Sequence, residues 1–138
     1  EAEVDGHDGV VAVVDQDRHK KPQLQPLKEA RRRRREKGSA LPTAIGQATP
    51  HGEAWLLDDH DAVRKGLGLP SSTKVPRATT DPKGELNKLI DASEHDDNED
   101  AFARIARHVT EASCRKPKGT GFRAFCDDVR KELVPLTR

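Results

Sequence analysis

The feature that most constrains this chain is its longest uninterrupted apolar run, Val10-Val11-Ala12-Val13-Val14, bounded by Gly9 and Asp15. Such a run is short for a helix, and its valines favour extended backbone. Continuous rather than alternating apolarity predicts a strand buried on both faces, as in the middle of a parallel sheet. The surrounding chain is polar: of 138 residues, 36% are charged, 33% hydrophobic and 3% aromatic. That length fits one ordinary domain. The few aromatics argue against a single-strand binder built on base stacking.

After the strand, Lys20–Gln25, with Pro22, reads as a loop, and Pro26 can sit at the first turn of a helix running to about Lys37 and ended by Gly38. Leu27 and Ala30 are its expected core contacts. Residues 41–48 are weakly strand-like around Ile45, so a βαβ unit is expected. A short apolar helix is expected over His51–Leu57. Asp59 or Asp61 can cap another, reaching Gly66 or Gly68. Residues 69–80, with Pro70 and Pro76, read as a loop. Asp81-Pro82 is a cap followed by proline at the first helical position, with Leu86, Leu89 and Ile90 on one face. Glu94–Asp100 reads as an acidic loop. Phe102, Ile105, Ala106 and Val109 repeat at helical spacing, as do Phe122, Phe125, Cys126, Val129 and Leu133 after a cap at Thr120.

No apolar run approaches the roughly 20 residues of a membrane helix, so no membrane partner is expected. No charged segment followed by an apolar one resembles an export signal, and the expected location is the cytoplasm. Two cysteines, Cys114 and Cys126, are too few for a disulfide scaffold and read as reduced core residues. The net charge of +1 hides an uneven spread: six acids and no Lys or Arg in residues 1–17, then ten bases against two acids in residues 18–37. A cation and a polyanion could share such a site, or an acidic loop could simply flank a solvated basic helix.

The leading chemical motif is Asp15-Gln16-Asp17, which leaves the valine strand where ligands bind in open α/β sheets. Two carboxylates so spaced can converge on Mg²⁺, which needs few protein ligands when phosphate and water supply the rest. A bare pair of this spacing is also common. Glu53, before Trp55-Leu56-Leu57, could be a further ligand from a neighbouring strand end or an acid stabilising a helix N-terminus. Arg31, Arg32, Arg33, Arg34 and Arg35 surround one helix, facing solvent or a phosphate backbone. The histidines show no metal-ligand spacing, and no phosphate-binding glycine loop or nucleophile elbow is present.

The ordered set Asp8-Gly9-Val10 to Arg18, Glu53-Ala54-Trp55-Leu56-Leu57-Asp58-Asp59 and Asp81-Pro82-Lys83 resembles a family of bacterial proteins. These are similar to the TOPRIM domains of OLD-type nucleases, and many look like companions of ABC- or AAA-type ATPases in phage-defence clusters. The resemblance implies a TOPRIM-like α/β fold: a small, mostly parallel sheet flanked by helices, then a helical C-terminal region. Residues 1–68 would be the C-terminal part of the α/β core, 69–80 a loop, and 81–138 the helical region packed on it.

It further implies Mg²⁺- or Mn²⁺-dependent phosphodiester hydrolysis on DNA or RNA. Asp15, Asp17 and Glu53 match the catalytic acids, and Asp59 joins them as a metal ligand. Arg18 and the Arg31–Arg35 helix would position the backbone. TOPRIM domains place a catalytic Glu after a strand well upstream of the aspartate pair, and this chain has no such strand. With no methionine and a start at Glu1, the expectation is a chain lacking its first βα units, with an incomplete sheet and an exposed strand edge.

Overall fold

The computed structural model describes residues 6, 8–17, 21–38, 41–77, 79–93 and 98–137. Its elements run β1 (Val10–Asp15), α1 (Leu24–Glu36), β2 (Thr43–Ala48), α2 (Glu53–Leu56), α3 (His60–Leu67), α4 (Pro82–Asp91), α5 (Asn98–Ala106) and α6 (Gly121–Glu132). Short 3₁₀ turns at Glu111–Ser113 and Val134–Thr137 flank α6. The class is mixed α/β, with one two-stranded parallel sheet and six helices among the described residues.

The valine run is a strand, but it is not buried on both faces. Burial alternates along β1, leaving Val11 55% and Val13 48% exposed. A continuous apolar run expects a packed layer on each face, whereas the face carrying Val11 and Val13 is uncovered among the described residues. Its register pairs Val10 with Thr43 and Asp15 with Ala48. The more deeply buried strand is β2, which sequence alone ranks as the weaker one: Ala44, Ile45, Gly46 and Ala48 are all buried.

Gly46 explains that ranking. A Cβ there would stand 2.6 Å from Trp55 and 2.7 Å from Phe125, so the missing side chain makes room for an aromatic cluster. Trp55 stacks on Phe125 with ring centroids 5.3 Å apart, and Phe122 tilts against both. The cluster joins α2 and α6 to β2.

A second core lies among the helices. Leu57, Ala62, Val63, Leu67, Val75, Leu86, Ile90, Ala101 and Ile105 form one buried cluster. Each large side chain in it contributes roughly 1.5–3 kcal/mol of apolar burial. The helix ends follow local chemistry. Asp59 caps α3 through Ala62 N–H, and Asp81 caps α4 through Gly84 N–H. Gly68 closes α3 in a left-handed turn (φ 63°), from which Leu69 N–H reaches back to the Arg64 carbonyl at 2.8 Å.

Several local expectations differ. Asn98–Asp100 belongs to α5 rather than to an acidic loop, and residues 94–97 lie outside the described ones. Within α5, Ala101 is the buried partner of Ile105, while Ala106 is exposed. In α1, Ala30 is exposed, and the side chain fixed against the sheet is Arg31. On α6 the buried positions are Asp128 and Glu132 rather than the apolar stripe, whose residues are half-buried.

Candidate functional site

Because β1 and β2 are parallel, their C-terminal ends lie side by side. Gln16 N–H donates to the Ala48 carbonyl at 2.8 Å, so the chain leaving β1 stays beside the chain leaving β2. A pair of glutamines holds this junction. The Gln47 side-chain oxygen accepts from Gln23 N–H at 2.9 Å and Leu24 N–H at 2.8 Å, supplying the start of α1 with a cap. Its amide nitrogen donates to the Gln16 side chain, which also accepts from the Thr49 hydroxyl at 3.4 Å.

This arrangement brings the Asp15-Gln16-Asp17 segment against the turn after β2. His51 Nδ1 lies 3.4 Å from Asp17 Oδ1 and 3.8 Å from Asp15 Oδ2. Both carboxylates remain open to solvent, with side-chain exposures of 53% for Asp15 and 42% for Asp17. His51 is a site member that sequence inspection passes over, because it belongs to no ligand-spacing motif. Its signal was positional: it follows the strand that pairs with β1.

Glu53 opens α2, two residues beyond His51, in the first-turn position where an acid favours a helix N-terminus. The start of α2 lies against the site, since a Cβ on Gly52 would be 3.9 Å from Asp15 Oδ1. Asp59 has a different occupation. It is 1% exposed, its Oδ1 accepts from Ala62 N–H and its Oδ2 from Thr110 N–H, each at 3.0 Å. Its carboxylate is a helix cap and a tether for the segment after α5. Among the described residues, no group of three or more His, Cys, Asp and Glu is placed to hold a metal ion.

The arginines are largely engaged within the chain. Arg31 donates to Asp128 at 2.6 Å and to the Thr43 carbonyl at 2.7 Å. Arg35 pairs with the buried Glu132. Arg32 pairs with Glu29 and Glu36, and Arg33 with Glu29. The two guanidiniums hold the Glu29 carboxyl down at about 2. Arg34 also has an interaction within the structure, and Arg18 lies outside the described residues. The guanidiniums do not radiate freely: α6 brings acids to Arg31 and Arg35, and Glu29 and Glu36 of α1 itself take Arg32 and Arg33.

Both cysteines are free thiols. Burial, then the nearby Asp58 and Asp59 carboxylates, push the Cys114 thiol up to about 12, and burial also raises Cys126. Neither is a ready nucleophile.

No family model matches the chain, and no curated protein or solved structure matches it.

Proposed function

We propose that the chain is the metal-binding part of a nuclease subunit of TOPRIM-like type, acting on phosphodiester bonds of nucleic acid. The observation that supports it is the convergence of Asp15, Asp17 and His51 at the C-terminal ends of two parallel strands. Open α/β sheets bind ligands at that end. The donor set fits a hard cation of the Mg²⁺ or Mn²⁺ kind, which takes one or two carboxylates and completes its shell with water and phosphate oxygens.

Asp15 and Asp17 would hold the cation, with Glu53 flanking them. When bound, such an ion polarises a phosphoryl oxygen and stabilises the charge that develops on it. His51 sets its imidazole beside both carboxylates. Asp59 keeps its capping role. A bacterial defence setting and an ABC- or AAA-type ATPase partner belong to this proposal through the family resemblance alone.

A second reading, a non-catalytic interaction partner of such an ATPase, is favoured by one observation. The arginines expected to hold the nucleic-acid backbone are instead bound to Glu29, Glu36, Asp128 and Glu132.

Plasmid nicking in Mg²⁺ or Mn²⁺ separates the two. Catalysis by this site predicts a loss of roughly 100-fold or more in Asp15→Asn and Asp17→Asn. Equal cleavage by wild type and both variants would overturn the assignment. Mn²⁺ binding followed by paramagnetic resonance gives a readout independent of turnover, and the same substitutions should abolish it.

A further inference from the structure

Away from the strand ends, a pocket of about 420 Å³ is lined by Asp58, Arg77, Arg115, Lys116 and Pro117. Its bases come from segments far apart in sequence, and three consecutive residues at the start of α3, Asp58, Asp59 and His60, fasten those segments down. The Asp58 carbonyl accepts from Arg115 N–H at 3.1 Å, and its carboxylate accepts from Lys116 N–H at 2.9 Å. Asp59 holds Thr110 N–H, which fixes the chain entering that loop. The His60 Nε2 lies 3.2 Å from the Pro76 carbonyl, immediately before Arg77. Asp58 is 3% exposed, so this anchor is part of the interior.

The pocket differs from the arginine-rich α1 in one respect that matters for binding. On α1 the guanidiniums already have acids. Around the pocket, no carboxylate among the described residues forms an ion pair with Arg77, Arg115 or Lys116. Holding like charges around one concavity costs electrostatic energy that an anion would relieve. His60 reports the same field: burial, then Arg115, Arg64 and Arg77, push its pKa down.

Charge and size define the ligand. Three bases and one carboxylate, that of Asp58, line the pocket, which leaves two positive charges. A phosphomonoester carries about −1.5 to −2 at neutral pH, whereas a backbone phosphodiester carries a single charge. Guanidinium forks match phosphate oxygens two at a time. The volume lies in the range of about 300–1,000 Å³ typical of small-ligand pockets.

We propose that this pocket binds a phosphomonoester, with Arg77, Arg115 and Lys116 on the phosphate oxygens. Such a group is carried by a free nucleotide or by the phosphorylated end of a nucleic-acid strand.

The test uses the whole chain in EDTA, so that the Asp15–Asp17 site takes no part. Calorimetry with AMP and adenosine should show AMP binding at least tenfold more tightly. Arg77→Gln and Arg115→Gln should each weaken AMP at least tenfold, and Lys83→Gln, on the outer face of α4, should not. Both arginines are exposed, and an unchanged thermal midpoint shows that the fold is kept. Anisotropy with one oligonucleotide in 5′-phosphate and 5′-hydroxyl forms then identifies the source. A preference for the phosphate names the strand end, and no preference names the free nucleotide. Equal affinity for AMP and adenosine, or AMP binding indifferent to both arginine substitutions, overturns the proposal. Neither result bears on the Asp15 and Asp17 site, whose metal binding and catalysis the Mn²⁺ resonance and nicking experiments read separately.

Discussion

Asp128 joins three distant parts of the chain. Its carboxylate accepts from Arg31 at 2.6 Å and from Ile45 N–H at 2.7 Å, tying α6 to α1 and β2 together. Removing one partner of such a buried pair leaves the other charge unpaired. Asp128→Ala is therefore expected to cost about 3 kcal/mol in urea denaturation, more than either Arg32→Ala or Arg33→Ala on the exposed side of α1. Burial alone would raise the Asp128 pKa, but the Arg31 guanidinium and the Ile45 N–H outweigh it and the net direction is down. A carboxyl whose pKa falls on folding stabilises the protein above its unfolded value, about 3.9, and loses that contribution as pH falls through the folded value. His60 is also lowered, by burial and then by Arg115. For a base, a lower folded pKa means stability that is full above about 6.5 and declines below it, because the unfolded chain takes up the proton more readily. Thermal midpoints measured from pH 7.5 to 3 should fall in both windows. Asp128→Asn should flatten the lower one and His60→Gln the upper one.

Elements were legible where their signals are local. The Asp59 and Asp81 caps, Pro82 at a first helical position and the Leu86–Ile90 face follow from residues within a turn or two of one another. Glycines were not legible in the same way. Gly66 could be read as a helix end, yet it lies inside α3, where a Cβ would stand 2.6 Å from the Ile105 Cα and 2.7 Å from its nitrogen. Gly46 looked like a weak point in a poor strand, yet it is where two aromatic rings seat. Gly46→Ala is expected to destabilise by about 1–3 kcal/mol, since the rings can shift partly. Gly66→Ala should cost at least as much, because the obstacle is backbone and α3 and α5 must move apart. Chemical denaturation of both variants checks the order.

Across the whole molecule, the two outer edges of the sheet are treated differently. The Pro42 and Ala48 carbonyls accept from β1, so the residues between them at odd positions turn their backbone groups to the opposite edge. There Arg31 takes the Thr43 carbonyl and Asp128 takes the Ile45 N–H, and a third strand cannot pair on that side. Beside β1 no further strand is present among the described residues, and Val11 and Val13 stand exposed. Val11→Lys and Val13→Lys should each change folding stability by less than about 0.5 kcal/mol in urea titration, in contrast with substitutions on β2.

The sequence by itself determined the βαβ order, the Asp81 cap with Pro82 after it, and the placement of Asp15 and Asp17 at the C-terminal end of a strand. Each of these depends on neighbours within a few residues, which the chain order already supplies. Only the tertiary structure decided that β2 is the better buried strand, that His51 joins the two aspartates and that Asp59 is a tether. It also decided that Arg31 belongs to the interior, because its partner Asp128 lies 97 residues away. A guanidinium helix reads as a polyanion surface until the acids of another helix are folded onto it. Pairing over that distance depends on how the helices and sheet pack, and no local pattern records it.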